Sequence, residues 1–176
     1  KQDAYKERVL YELEQSHRLI ITRKRDGWKF FAVKSNNRWK LYTDGLRDVS
    51  ERFPQIIAEL DALCVTVPNN SILVGEMIIE KDGKDILGGM QSFMSLKDYK
   101  EQLKAIGDNF RFALFGVICL GGVPADAVES PYFSTMTWIY ALLKNQPSRF
   151  VRQVEVLNIN FEDPKYYKDE VTFDVA

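Results

Sequence analysis

The chain has 176 residues, of which 45% are hydrophobic and 28% charged, a balance that supports a packed core and excludes a disordered polymer. Its formal net charge of −1 excludes a global basic signature, so any nucleic acid must be met by a local patch or another domain. The single histidine, His17, argues against a Ser-His-Asp triad or a His-rich metal site. No apolar run approaches the roughly 20 residues of a membrane span, and no signal-peptide pattern opens the chain. Because the first residue is Lys1, not Met, an N-terminus that is trimmed or only partly represented is expected. Cys64 and Cys119 both lie in apolar runs and read as reduced core residues of an intracellular protein.

In chain order, Asp3–Gln15 carries Val9, Leu10 and Leu13 between charges and predicts a helix covering one edge of a core. His17 follows as a surface residue. Leu19–Thr22 and Trp28–Val33 read as strands flanking a polar knot, Lys24-Arg25-Asp26-Gly27, whose Asp-Gly reads as a turn with Gly at positive φ. Ser35-Asn36-Asn37 turns the chain into a strand over Trp39–Thr43, closed by Asp44-Gly45. Asp48 and Ser50 are candidate caps, and Pro54 suits the first turn of a helix running to Leu63. Ser71–Glu80 is a strong β run ended by Lys81-Asp82-Gly83. Gly88–Met94 reads as flexible, Ser95 as the cap of a helix over 96–106, and Phe110–Leu120 as the most apolar strand. A helix follows from Pro131-Tyr132-Phe133 to about Leu143, then a strand over Val151–Ile159 and a charged, aromatic tail over Phe161–Ala176. Strands and helices mix without βαβ alternation. That predicts one α+β domain over residues 1–176, with mainly antiparallel sheets flanked by helices.

Three positions in this order could carry chemistry. Lys24 beside Asp26, at the mouth of two strands, is the arrangement a lysine nucleophile needs. An ordinary hairpin with solvated charges is the competing reading, which this stretch alone favours. Glu76 is a charge among apolar residues and Gly, so it must face solvent, pair with a cation, or help bind a ligand or metal. Gly75 before it would let a ligand approach the backbone. Phe115-Gly116 repeats that hint, with a ring that could stack on a base or simply belong to the core.

Lys24-Arg25-Asp26-Gly27 followed by a strand resembles the nucleotidyl-attachment motif of DNA ligases, RNA ligases and mRNA capping enzymes. Leu41–Ile56, with Asp48-Val49-Ser50-Glu51-Arg52-Phe53-Pro54-Gln55-Ile56, resembles a segment of ATP-dependent DNA ligases and favours them over the other two. Ile72-Leu73-Val74-Gly75-Glu76 is similar to their Leu-Asp-Gly-Glu strand, and Phe112–Gly122 to their Phe-Asp-hydrophobic-Leu strand. The resemblance implies the nucleotidyltransferase (ATP-grasp-like) fold and an adenylation domain that forms lysine–AMP and seals nicks in DNA. It makes Lys24 the adenylated nucleophile. Phe115 would stack on the adenine. Glu76 would contact the ribose or a metal-bound water, and Lys29, where the family has Arg, would hold the ribose or a phosphate. Thr22 and Arg23 complete the implied nucleotide-binding set. ATP and Mg²⁺ are the implied cofactors. Nicked double-stranded DNA and further ligase domains are the implied partners, with no membrane involved. Arg38, Arg47 and Arg52 could add positive charge, though solvated surface is the stronger reading for each.

The departures are specific. Thr22 replaces a common Glu, Asp44 replaces Arg, and Val74 and Gly116 each replace Asp. A later Glu-Gly-apolar motif and a Lys-x-Lys strand are not found. The expectations left open are therefore an incomplete domain, impaired by itself, an RNA ligase or capping-type enzyme, and a degenerate nucleotide- or DNA-binding relative without catalysis.

Overall fold

The computed structural model describes residues 2–16, 18–125 and 132–163, with side chains from Ala4 onward. His17, Pro131 and the tail from residue 164 on lie outside the described residues. The chain divides into two units, 1–23 with 155–176, and 24–154.

In the first unit, α1 spans Gln2–Gln15 as predicted, but none of its described side chains is buried, so within this unit it covers no core. The expected strand over Leu19–Thr22 reduces to a single bridge between Thr22 and Val156. The reason is Asn158, which is buried: its amide accepts from the Ile21 N–H (2.9 Å) and donates to the Leu19 carbonyl (2.7 Å). One side chain thus takes the place of ladder partners.

The second unit is built on a sheet of order β2-β1-β3-β5-β6. Its strands are β1 (Gly27–Ser35), β2 (Arg38–Thr43), β3 (Ser71–Lys81), β4 (Lys84–Asp85), β5 (Phe110–Leu120), β6 (Val123–Pro124) and β7 (Val151–Gln153). β4 pairs with β3 and β7 with β5; the β5–β7 pairing is parallel and the rest are antiparallel. The mixed α+β class and the antiparallel sheet are therefore as predicted. Asn36 and Asn37 both adopt positive φ, as the tight turn between β1 and β2 requires.

Period-two alternation sends Phe30 and Ala32 of β1, Leu73, Met77 and Ile79 of β3, and Phe110, Phe112 and Leu114 of β5 into the core. Helix α2 (Pro54–Leu63) buries Ile56, Leu60 and Leu63. Pro54 occupies its first turn, but Asp48 and Ser50 do not cap it. Instead, Asp48 accepts from the Ser50 N–H and Ser50 Oγ from the Leu41 N–H, both at 2.9 Å. Phe53, just before α2, meets Phe30, Phe93 and Phe110 with ring centroids 5.3, 5.6 and 5.0 Å apart.

Three further expectations change. Gly88–Met94 is not flexible: Gly89–Ser95 forms α3, because Met90, Phe93 and Met94 recur at helical spacing and are all buried. Ser95 does not cap the next helix, since its Oγ donates to the Ser92 carbonyl (2.8 Å), and α4 spans only Lys100–Ile106. The last strand stops at Gln153 in this unit. Cys64 is buried as expected and its thiol is pushed up to about 12 by burial, whereas Cys119 is only half-buried. Helix α5 (Tyr132–Leu143) buries Met136, Ile139 and Leu143. No described helix is long and apolar enough to cross a membrane.

The free edge of β2 is closed by the chain itself. The N–H groups of Trp39, Leu41 and Thr43 donate to Asp61 Oδ1, Ser50 Oγ and the Arg47 carbonyl at 3.2, 2.9 and 2.9 Å. Lys34 closes the end of α2. Only 6% exposed, it donates to the carbonyls of Cys64 (3.2 Å), Val65 (3.0 Å) and Val67 (2.6 Å). A cation at a helix C-terminus meets carbonyls that have no partner within the helix. Lys34→Met should lower unfolding stability by about 2 kcal/mol, the scale of hydrogen bonds to a charged group, as read by urea denaturation.

Candidate nucleotide-binding site

β1 and β3 lie side by side with Lys29 opposite Glu76 and Gly27 opposite Ile78. Gly27 does not have positive φ, contrary to expectation. It is glycine because β3 leaves no room: a Cβ there would stand 2.2 Å from the Met77 carbonyl oxygen and 2.6 Å from Ile78 Cγ2. The loop carrying Lys24 is thereby drawn against β3.

Glu76 is half-buried, and burial raises its carboxyl above the usual carboxylate range. Asp26 and Asp85 push in the same direction, while the Gly27 N–H and the charge of Lys24 oppose them. Lys24 itself is exposed. Its charge is the smallest of the influences on Glu76, while Asp26 commits one carboxylate oxygen to the Gly88 N–H at 2.8 Å.

The structure sets Lys29 opposite Glu76 and leaves Lys24 three residues before their ladder begins at Gly27. Lys29 is exposed and pairs with Asp44 at 2.8 Å. Phe115 lies on β5, two residues beyond Ala113, the cross-strand partner of Glu76. It is the extra residue at a break in register between Leu114 and Gly116, and is half-buried. Thr22 and Arg23 belong to the first unit, where Arg23 pairs with Glu155 at 3.0 Å. Arg52 supplies no free charge: it donates to the carbonyls of Phe93 (3.1 Å) and Leu96 (2.8 Å) and stacks 4.4 Å from the Tyr99 ring centroid.

The two glycines read as openings for a ligand are filled by the protein. A Cβ on Gly75 would lie 2.7 Å from both the Ala113 carbonyl oxygen and Phe112, and one on Gly116 would lie 2.7 Å from Val74 Cγ1. Val74 and Gly116 are themselves cross-strand partners. Two departures from the ligase pattern are thus one packing arrangement.

Sequence reasoning missed a network around Arg25. Its guanidinium donates to Asp85 (2.5–3.0 Å) and Glu80 (2.6 Å), and Arg152 donates to the same Glu80 oxygen at 2.5 Å. Burial raises both acids, but the arginines outweigh it and hold them below their usual range. The available signal was the two-residue period Glu76, Ile78, Glu80, which puts both acids on one face of β3.

Among the described residues no cluster of three or more His, Cys, Asp or Glu side chains could hold a metal ion. Asp85 is bonded to Arg25, and Asp26 to Gly88. Glu76 remains as a carboxylate donor. That fits only a Mg²⁺ whose other ligands are phosphate oxygens and water, a coordination this ion commonly takes.

Residues 4–164 match the family described as ATP dependent DNA ligase domain, and the chain belongs to that family. A curated relative, the SPbeta prophage-derived DNA ligase-like protein LigB of Bacillus subtilis (strain 168), is 29% identical over 134 residues, covering 75% of this chain and 44% of its own. The fold is similar to a solved mycobacterial DNA ligase D complexed with ATP and MES (TM-score 0.54, 20% identity, 78% of this chain and 40% of that one). It is also similar to the ligase domain of M. tuberculosis LigD (TM-score 0.55, 19% identity, 81% and 42%). The chain spans less than half the length of each of these relatives.

Two outcomes are expected. Because the folded pKa of Glu76 is raised, the native state holds that proton more tightly than the unfolded chain, and stability is lost as pH rises through the folded pKa. Glu76→Gln should therefore be more stable than wild type near neutral pH, with the gain vanishing below the ordinary Glu range, as measured by chemical denaturation across pH. Gly116→Ala should cost about 1–3 kcal/mol from overpacking, and Val74→Ala in the same chain should recover most of it in a double-mutant cycle.

Proposed function

We propose that residues 1–176 are part of one adenylation domain in which Lys24 becomes covalently attached to AMP. The observation that carries this reading is Lys24 on the loop that opens β1, the strand whose Lys29 stands opposite the half-buried Glu76 of β3. The family match over residues 4–164, and the ATP in the structure of the ligase D relative, support it.

In this step the Lys24 amine, having given up its proton, attacks the α-phosphorus of ATP. An N–P bond forms, the bond to the bridging oxygen breaks, and pyrophosphate leaves. An amine with an ordinary pKa near ~10.4 must be deprotonated to attack. Lys29 is suited to the ribose or a phosphate once Asp44 is displaced, and Phe115 to the adenine face. Glu76 is suited to the ribose or to a water on Mg²⁺. When bound, Mg²⁺ would neutralise charge on the phosphates. Catalysis in such transfers rests mainly on positioning and electrostatics. The adenylate would then pass to the 5′-phosphate of a nick in double-stranded DNA, with further ligase domains contributing to the grip. An intracellular setting, where ATP and DNA are found, goes with this role.

Incubating the intact protein that carries this chain with Mg²⁺ and ATP radiolabelled at the α-phosphate should give a covalent adduct that survives denaturation and maps to Lys24, with residues 1–176 alone labelled weakly or not at all. Lys24→Ala should give none, and labelled GTP should give little. ATP binding without any adduct would favour a non-catalytic relative instead.

A further inference from the structure

Of the loop that opens β1, Lys24 is the residue with chemistry to perform, and its two successors are the ones held. Arg25 is buried to 12% side-chain exposure and grips Asp85 with a fork: Nε reaches both carboxylate oxygens, at 2.8 and 3.0 Å, and Nη2 reaches Oδ1. The same Asp85 accepts the Asp26 backbone N–H at 3.0 Å. Asp26 in turn accepts the Gly88 N–H, in a turn where Gly88 has φ of +68°. Gly27 then starts the ladder with β3. Asp85 belongs to β4, which is itself paired to β3, so this anchor sits on the strand that carries Glu76.

The charges in this network cancel. Arg25 and Arg152 face Glu80 and Asp85, two cations against two anions. A neutral group of four adds little net field at the neighbouring amine, so its effect there is geometric. An ammonium could replace the charge of Arg25 but not its planar fork.

We propose that Arg25 is a positioning residue for Lys24. Through Asp85 and Glu80 it fixes the backbone on which the amine hangs, at a set distance from Glu76. This rests on the reading of Lys24 as the nucleophile. Misplacing a nucleophile by about 1 Å can cost on the order of 100-fold in rate.

The test is the rate of lysine–AMP formation in the intact protein that carries this chain, measured with ATP and Mg²⁺ for wild type, Arg25→Lys and Asp85→Asn. Hydrogen exchange over residues 22–28 is followed in parallel. Both variants should form the adduct roughly 10- to 100-fold more slowly at saturating ATP, with a smaller change in KM. The pH profile of Arg25→Lys should keep its midpoint. Exchange at Asp26 and Gly27 should rise while that of Phe30–Lys34 stays protected. An Arg25→Lys rate within twofold of wild type, or a variant whose main effect is a shifted pH midpoint, would overturn the proposal. If the intact wild-type protein forms no adduct, the nucleophile reading fails instead, and unchanged exchange in the variants then refutes the anchoring by itself.

Discussion

Strand β3 has to satisfy two environments at once, and the second unit depends on how it does so. Its odd-numbered residues, Leu73, Met77 and Ile79, enter the core, while Val74, Glu76, Ile78 and Glu80 occupy the other face. A slip of one residue would drive Glu76 and Glu80 toward the ring cluster around Phe53 and take Met77 and Ile79 out of it. The core therefore fixes the register, and the register places Glu76 beside Lys29 on one side and Ala113 on the other. Gly75 makes the arrangement tighter, since only a residue without a side chain clears Phe112 and the Ala113 carbonyl.

The departures from the ligase pattern do not scatter over the sheet. Val74 and Gly116 face each other across β3 and β5, and Asp44 pairs with Lys29 across the mouth of β1 and β2. In the first pair a methyl group fills the space a second side chain would need. In the second, an acid and a base meet where the family pattern has two arginines. Each pair is internally consistent in shape or charge, which is what a folded chain requires of coupled changes.

Much of this was legible in the sequence because period and turn chemistry are local. The strands at Trp28–Val33, Trp39–Thr43, Ser71–Glu80 and Phe110–Leu120, and the helix after Pro54, all follow from alternation, Asn-rich turns and proline. Lys24 and Glu76 stood out as polar residues at a strand mouth or inside an apolar run, while Lys29 came only from the resemblance to ligases. What escaped was non-local. Asn158 replaces ladder bonds over a separation of 137 residues, and Arg25 finds Asp85 60 residues away. Gly27, Gly75 and Gly116 advertise backbone freedom in a sequence, whereas here each answers to a neighbour's bulk. Met90, Phe93 and Met94 had helical spacing, but the Gly pair before them spoke louder than the period.

The sealed margin of β2 has a consequence for how this sheet can meet anything else. With the amides of Trp39, Leu41 and Thr43 already spoken for by Asp61, Ser50 and Arg47, no incoming strand finds free donors at those three positions. Polymerisation by strand addition is blocked along that border. Whatever this molecule grips there must be held by side chains and not by annexing a further ribbon of backbone.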